Sequence, residues 1–289
     1  MTVQRRRNPP LSIAFIAGLA LGLLPVAAGA QDASRLPDWK GQWIRTGSGS
    51  FDPSKPPGLR QEAPLTAEYQ AIYEQNIAKQ RAGTFFDIKG TCGPVGMPRV
   101  MILYEPIEVV VKPKTTYMLA ESMSPLRRIY TDARDFPKGE ADALRNFNGY
   151  SIGKWSDTDN DGVYDTLEVE TRYTQGPRLF DSTGIPLHQD NQTVVKEKLY
   201  LDKADRNVLR NEITTVDHAL TRPWTVSRFY RRVTNPIYEE YNCTEDNRWI
   251  TIGDKLYLLD GDGYVMPIQK DQAPPDPKYL QKYFNKSTQ

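Results

Sequence analysis

The sequence predicts a mostly β fold, an antiparallel β-barrel or β-sandwich with one N-terminal helix. Three observations carry this. From Val100 onward, short runs rich in Val, Ile, Tyr and Thr are separated by Pro, Gly, Asp and Asn. Apolar and polar residues alternate along the longer runs, as in Leu167, Val169, Thr171 and Tyr173 against Glu168, Glu170 and Arg172. Nothing alternates regularly with helices, which argues against a doubly wound α/β sheet.

The first thirty residues read as a secretory signal rather than as part of the fold. Arg5, Arg6 and Arg7 form a positive start, Leu11 to Leu24 an apolar run, and Ala28-Gly29-Ala30 a small-residue cut site. The expected location is therefore periplasmic or secreted. Removing this segment takes away three arginines and no acid, so the whole chain's net charge of +1 becomes a slight acidic excess. That balance, without a basic cluster, argues against nucleic-acid partners. After Ala30 no apolar stretch is long enough for a membrane span.

Residues 31–64 are rich in Gly, Ser, Pro and charge and read as an extended arm whose Trp39 and Trp43 pack onto the body. A single β-rich domain is expected over 65–271, opening with a helix at about 67–81. Thr66 is placed to cap that helix, Tyr69, Ile72, Tyr73 and Ile77 form one apolar stripe, and Gly83 can end it.

Strands follow near Ile107–Val111, Thr116–Ala120, Leu126–Tyr130, Ser151–Trp155, Thr166–Tyr173, Thr193–Leu201, Val208–Val216, Trp224–Arg232, Ile237–Tyr241, Trp249–Ile252 and Lys255–Leu259. Glu140–Phe147 reads as a short helix and 272–289 as a loosely attached tail. Cys92 and Cys243 are the two cysteines, and in an oxidising compartment such a pair is expected to form one disulfide, with two buried free thiols as the alternative. Closing so long a loop stabilises by about 4 kcal/mol on loop-closure entropy.

The most specific stretch runs from Asp157 to Glu168. A twelve-residue calcium loop supplies oxygens from positions 1, 3, 5, 7, 9 and 12, with glycine at 6 for the turn. Here those positions are Asp157, Asp159, Asp161, the Val163 carbonyl, Asp165 and Glu168, and Gly162 is sixth. The flanks read as strands rather than helices, so the expectation is Ca2+ ordering the tip of a long hairpin. Strand alternation turns Glu168 away from Asp165 and leaves Asp157, Asp159, Asp161, Val163 and Asp165 as the central set. A bare acidic turn is the alternative. Asp260-Gly261-Asp262-Gly263 is a lesser echo that reads as a hairpin turn.

Candidate catalytic groups do not assemble into a coherent set. Gly149-Tyr150-Ser151-Ile152-Gly153 fits G-x-S-x-G, but no helix can start after it, as a nucleophile elbow requires. His188 and His218 are the two histidines, and neither has a second at metal spacing along the chain, which argues against zinc. His188, with Asp181 or Asp190 nearby in sequence, is a candidate acid/base. Arg99 and Arg127 are candidates for holding an anionic group; a solvated charged face is their simpler reading. The sixteen tyrosines would give an amphipathic lining if they faced a barrel interior.

Several segments also carry a resemblance as a set. They are Gly96-Met97-Pro98-Arg99-Val100-Met101, Arg127-Arg128-Ile129-Tyr130-Thr131-Asp132, Gly149 to Trp155, Thr221-Arg222-Pro223-Trp224-Thr225-Val226, and Cys243-Thr244-Glu245-Asp246-Asn247. In that order, from about Trp39 to Asn247, the chain resembles a family of uncharacterised exported bacterial proteins. The resemblance implies export and one β-rich domain, and supplies no catalytic residue. The chain departs from that family after Trp155, where an Asp-rich insertion replaces a short Gly-Asp turn. The leading functional expectation is a protein binding a small amphipathic molecule. A hydrolase or lyase using His188 and an envelope interaction protein are the alternatives.

Overall fold

The computed structural model describes residues 32–47, 52, 54–56, 58–121, 126–138, 145–176, 179–237, 243, 249–253, 255–259 and 264–276. Among these, nine strands close into a barrel. They are β1 (Gly41–Thr46), β2 (Ile107–Lys112), β3 (Thr115–Ala120), β4 (Arg127–Tyr130), β5 (Tyr150–Ser156), β6 (Thr166–Arg172), β7 (Val194–Leu201), β8 (Val208–Val216) and β9 (Trp224–Arg232). A separate three-stranded sheet joins β10 (Trp249–Ile252), β11 (Lys255–Leu259) and β12 (Val265–Pro267). The one α-helix among the described residues, α1, spans Ala67–Arg81. No helix there is long and apolar enough to cross a membrane.

Strand pairing follows chain order, and β1 closes the circle by pairing antiparallel with both β2 and β9. All neighbours are antiparallel except β4 and β5, which run parallel and share only the register pairs Ile129↔Ser151 and Tyr130↔Ile152. The barrel is therefore mixed rather than purely antiparallel. The expected Ile237–Tyr241 strand lies largely outside the described residues, as do the signal segment, most of Glu140–Phe147, Asp260–Gly263 and most of the tail.

Two strands differ from expectation. Gly41–Thr46 lies inside the segment read as an arm, yet it is a barrel strand. Gln42 and Trp43 are both buried, so the strand shows no clean alternation that would betray it. Gln42 is covered from outside, donating to the Glu121 side chain at 2.5 Å and the Ile237 carbonyl at 3.0 Å. Val265–Pro267 is a short edge strand ending on proline.

Inward positions alternate as the pleat requires. Ile107 and Val109, Leu167 and Val169, Val195 and Leu199, Leu209 and Ile213 fill the interior with almost no exposure. It is a packed core, as expected for a barrel of this size. The tyrosine-lined interior does not occur. Tyr230 is the inward tyrosine of the described barrel strands, while Tyr130 and Tyr150 stack on the outside at 5.0 Å. Trp39 plugs one end, meeting Trp155 edge-on at 4.7 Å and accepting the Trp43 indole N–H on its carbonyl at 2.9 Å.

A charged layer crosses this core. Arg127 on β4 makes a two-pronged pair with Glu197 on β7, and the side chains are 2% and 0% exposed. The guanidinium also reaches Thr171 Oγ1 on β6 at 3.0 Å and Ser151 Oγ on β5 at 3.4 Å. The amide of Asn211 on β8 donates to Glu197 Oε1 at 2.9 Å. Ser151 is thus a core hydroxyl, not an exposed nucleophile.

Cys92 and Cys243 form a disulfide with a Cα separation of 5.6 Å. It ties the 3-10 turn Ile88–Thr91 to the segment that leads into the small sheet.

Breaking one partner of a buried ion pair leaves an uncompensated charge and costs about 3–5 kcal/mol. Glu197→Ala is expected to lose that much in urea unfolding. The joint Arg127→Met, Glu197→Leu variant should recover most of it. An unchanged midpoint for Glu197→Ala would remove this account of the core.

Candidate functional site

The strand register sorts the connections by barrel end. The β5–β6 and β7–β8 loops share one end; the β6–β7 and β8–β9 connections, 173–193 and 217–223, share the other. The Asp-rich loop is at the first end. Arg99, Asp181, His188 and His218 gather about the second.

At the second end a cavity of about 440 Å³ opens among Arg45, Arg99, Asp181, Ile102, Leu103 and Tyr104, with the ion pair Lys89–Glu105 also lining it. Arg45 projects inward from β1, Arg99 lies on the 3-10 turn Arg99–Met101, and Asp181 follows the Leu179↔Pro186 bridge. All three are buried, at 6%, 2% and 4% exposure. Three buried charges on one small cavity are costly unless something polar is met there.

Each charge is partly paired. Arg99 makes two bonds to Asp87, at 2.8 and 2.7 Å, while its Nε has no partner among the described residues. Arg45 Nε donates to the Leu103 carbonyl at 3.2 Å, and its guanidinium lies 3.6 Å from the centroid of the Tyr104 ring. Asp181 Oδ1 accepts from Thr183 N–H at 2.9 Å and its hydroxyl at 2.6 Å. Asp181 Oδ2 is buried without a partner among the described residues.

Burial pushes the Asp181 carboxyl up from the usual aspartate value, and the Thr183 bonds and the Arg228 and Arg99 charges only partly oppose it. A protonated Asp181 can donate to a ligand oxygen. Burial acts the same way on Asp87, but there the Arg99 bonds and charge, with Lys89, win and hold the carboxyl low. Burial and the neighbouring Arg45 charge push the Arg228 guanidinium down.

A second grouping lies nearby. His188 Nδ1 stands 3.2 Å from Asp190 Oδ2, and His218 Nδ1 stands 2.5 Å from the same oxygen. The hydrogen bond and charge of Asp190 hold His218 above the usual histidine value. His188 borders a different cavity, of about 420 Å³, with Tyr69, Phe85 and Phe86. The expected partners thus divide: Asp190 meets His188, whereas Asp181 and Arg99 share the first cavity. Arg127 belongs to the core. Arg128 is exposed, and Arg134 pairs with Asp132 at 2.6 Å on the surface. His218 takes Asp190, not its neighbour Asp217, as its partner.

The Asp-rich loop is a hairpin tip, with Asp165 N–H donating to the Ser156 carbonyl at 3.0 Å. Carboxylate oxygens of Asp157, Asp159 and Asp161 come within 4.8 Å of one another. Asp165 instead accepts from Thr158 N–H and hydroxyl, at 3.2 and 2.6 Å. Glu168 faces outward on β6, in register with Lys154 and Lys198. Arg35 also enters the loop, bonding Asp157 Oδ2 at 3.0 Å and the Gly162 carbonyl at 2.8 Å. No sequence signal pointed to Arg35 or Arg45; both come from the segment read as an arm. Trp39 and Trp43, expected there as packing residues, are wholly buried and so present no docking surface.

The Asp181 shift has a sign. A carboxyl raised in the fold favours the folded state at low pH, and that contribution is lost as pH rises from the ordinary value of 3.8 through the folded one. Asp181→Asn keeps an acceptor for Thr183 and removes the penalty. Its melting temperature should match the parent near pH 3 and exceed it at pH 7. A lower melting temperature at pH 7 would contradict the burial argument.

Compared with known proteins, the chain matches no family model and no curated sequence.

Proposed function

We propose that this is an exported protein that binds a small amphipathic molecule with an anionic head in the Arg45–Arg99–Asp181 cavity. The observation that carries this is the convergence of three buried charged side chains on one cavity, with Arg99 Nε and Asp181 Oδ2 both unpartnered among the described residues. A carboxylate or phosphate head would meet guanidinium donors there. Ile102, Leu103 and Tyr104 on the same wall suit an apolar body. The cavity volume falls within the range of ordinary ligand sites, roughly 300–1,000 Å³. Export is supported by the Arg5–Ala30 signal pattern and by the Cys92–Cys243 disulfide, which suits an oxidising compartment.

Titration calorimetry with octanoate, octyl phosphate and octylammonium tests this reading. The two anions should bind and the cation should not. Arg45→Gln should weaken anion binding roughly tenfold or more, as expected for a lost charge-assisted bond of about 1.5–3 kcal/mol. Equal binding of all three amphiphiles, or of none, would defeat the proposal.

We also propose that the hairpin tip takes one structural Ca2+ through Asp157, Asp159, Asp161 and the Val163 carbonyl. The proximity of the three carboxylates and the buried, unpartnered Asp157 Oδ1 support it. Glu168 is left out because its strand faces it away. Calcium should raise the melting temperature of the parent but not of Asp159→Asn; no rise in either would overturn the calcium proposal.

A further inference from the structure

We infer that His188, Asp190 and His218 form a binding site for a divalent transition-metal ion, Zn2+ foremost. It is independent of the anionic-ligand reading, because it borders a different cavity and shares no residue with the first.

The chain contains two histidines in all, and the fold brings both to one carboxylate. They reach it from separate connections, 173–193 between β6 and β7 and 217–223 between β8 and β9. A ring nitrogen of each histidine and a carboxylate oxygen of Asp190 lie within 4.8 Å of one another. The donor set of two imidazoles and one carboxylate suits zinc and its neighbours, whereas calcium and magnesium take oxygen throughout.

Distances support the fit. Two ligand atoms each about 2.05 Å from a tetrahedral zinc stand roughly 3.3 Å apart. His188 Nδ1 and Asp190 Oδ2 are already 3.2 Å apart. His218 Nδ1, at 2.5 Å from the same oxygen, must withdraw by under 1 Å. Its side chain is 69% exposed, so it has room to do so.

The groups behind these ligands hold them in place, as metal sites require. Asp217 accepts from the backbone N–H of His188 at 2.9 Å, from that of Ala219 at 2.9 Å and from Thr193 Oγ1 at 2.5 Å, so one buried carboxylate clamps both loops. Gln192 N–H occupies Asp190 Oδ1 at 3.0 Å, which leaves Oδ2 for the histidines. The Tyr69 ring packs on His188 with centroids 5.4 Å apart. His188 Nδ1 accepts Asp190 N–H at 3.1 Å, so a lone pair is present on that nitrogen and one weak bond is exchanged for coordination.

Three protein ligands leave zinc a fourth, exchangeable position. Here it would open beside the cleft that Tyr69, Phe85 and Phe86 share with His188, so an oxygen donor on an apolar or aromatic molecule is the ligand class it would accept.

Tag-free, chelator-treated protein titrated with Zn2+ tests the site, read by calorimetry and by NMR of the histidine ring nitrogens. With two histidines in the chain, every imidazole signal is assignable. The expected result is one equivalent bound, with the signals of His188 and His218 shifting together. His218→Ala, at an exposed position that the fold does not need, should weaken binding at least about tenfold, as should Asp190→Asn. Asp159→Asn should leave it unchanged. Shifts in one histidine only, binding indifferent to His218→Ala, or no binding would each overturn the proposal.

Discussion

The Arg127–Glu197 pair crosses the barrel interior at its shortest strand joint. The joint between β4 and β5 is the weakest in the circle, parallel and only two register pairs long. Arg127 stands on one side of that joint and bonds Ser151 directly across it. Through Thr171, Glu197 and Asn211 the same network continues across β6, β7 and β8. The network thereby links five consecutive strands, β4 to β7 through the guanidinium itself and β8 through Glu197. The cost of burying both charges is met by filling nearly every donor and acceptor around them.

A filled interior pushes ligand chemistry to the rims. Both sites proposed above sit where strands run into connections. At one rim the Arg45–Arg99–Asp181 cavity and the His188–Asp190–His218 cluster lie on neighbouring segments, both leaning on the 173–193 connection. Helix α1 braces that connection: Asn76 donates to the Gly184 carbonyl at 2.8 Å and Gln80 to the Thr183 carbonyl at 2.9 Å. The opposite rim carries the Asp-rich hairpin and Arg35. The two rims thus differ in chemistry: both histidines gather at one, the Asp-rich hairpin at the other.

Much of this was legible in the residues. The strands from β2 to β11 announced themselves through alternation and turn residues, and Thr66 does cap α1, accepting from Tyr69 N–H at 3.3 Å. Thr66 and the apolar stripe were readable because capping and helical spacing are local. What escaped was non-local or two-sided. Strand β1 turns Arg45 inward and leaves the apolar Ile44 exposed outside, so its residues carry no apolar–polar alternation. Arg127 looks like a surface charge until Glu197, seventy residues on, supplies its partner. The histidines are far apart in sequence, and only the shared barrel end joins them. Asp181 and Asp190 looked equivalent as neighbours of His188, yet Asp181 lines the Arg45–Arg99 cavity while Asp190 meets both histidines.

Strand β1 has a further consequence. It hydrogen-bonds β2 on one side and β9 on the other, so it is the keystone of the ring although it is the first strand in the chain. A chain lacking it would present two raw sheet margins at once, each a template for stacking against other molecules. Its partner β9 is also the last barrel strand along the chain. Circularisation must therefore wait until both extremities of the barrel polypeptide exist, a long-range pairing that slows assembly.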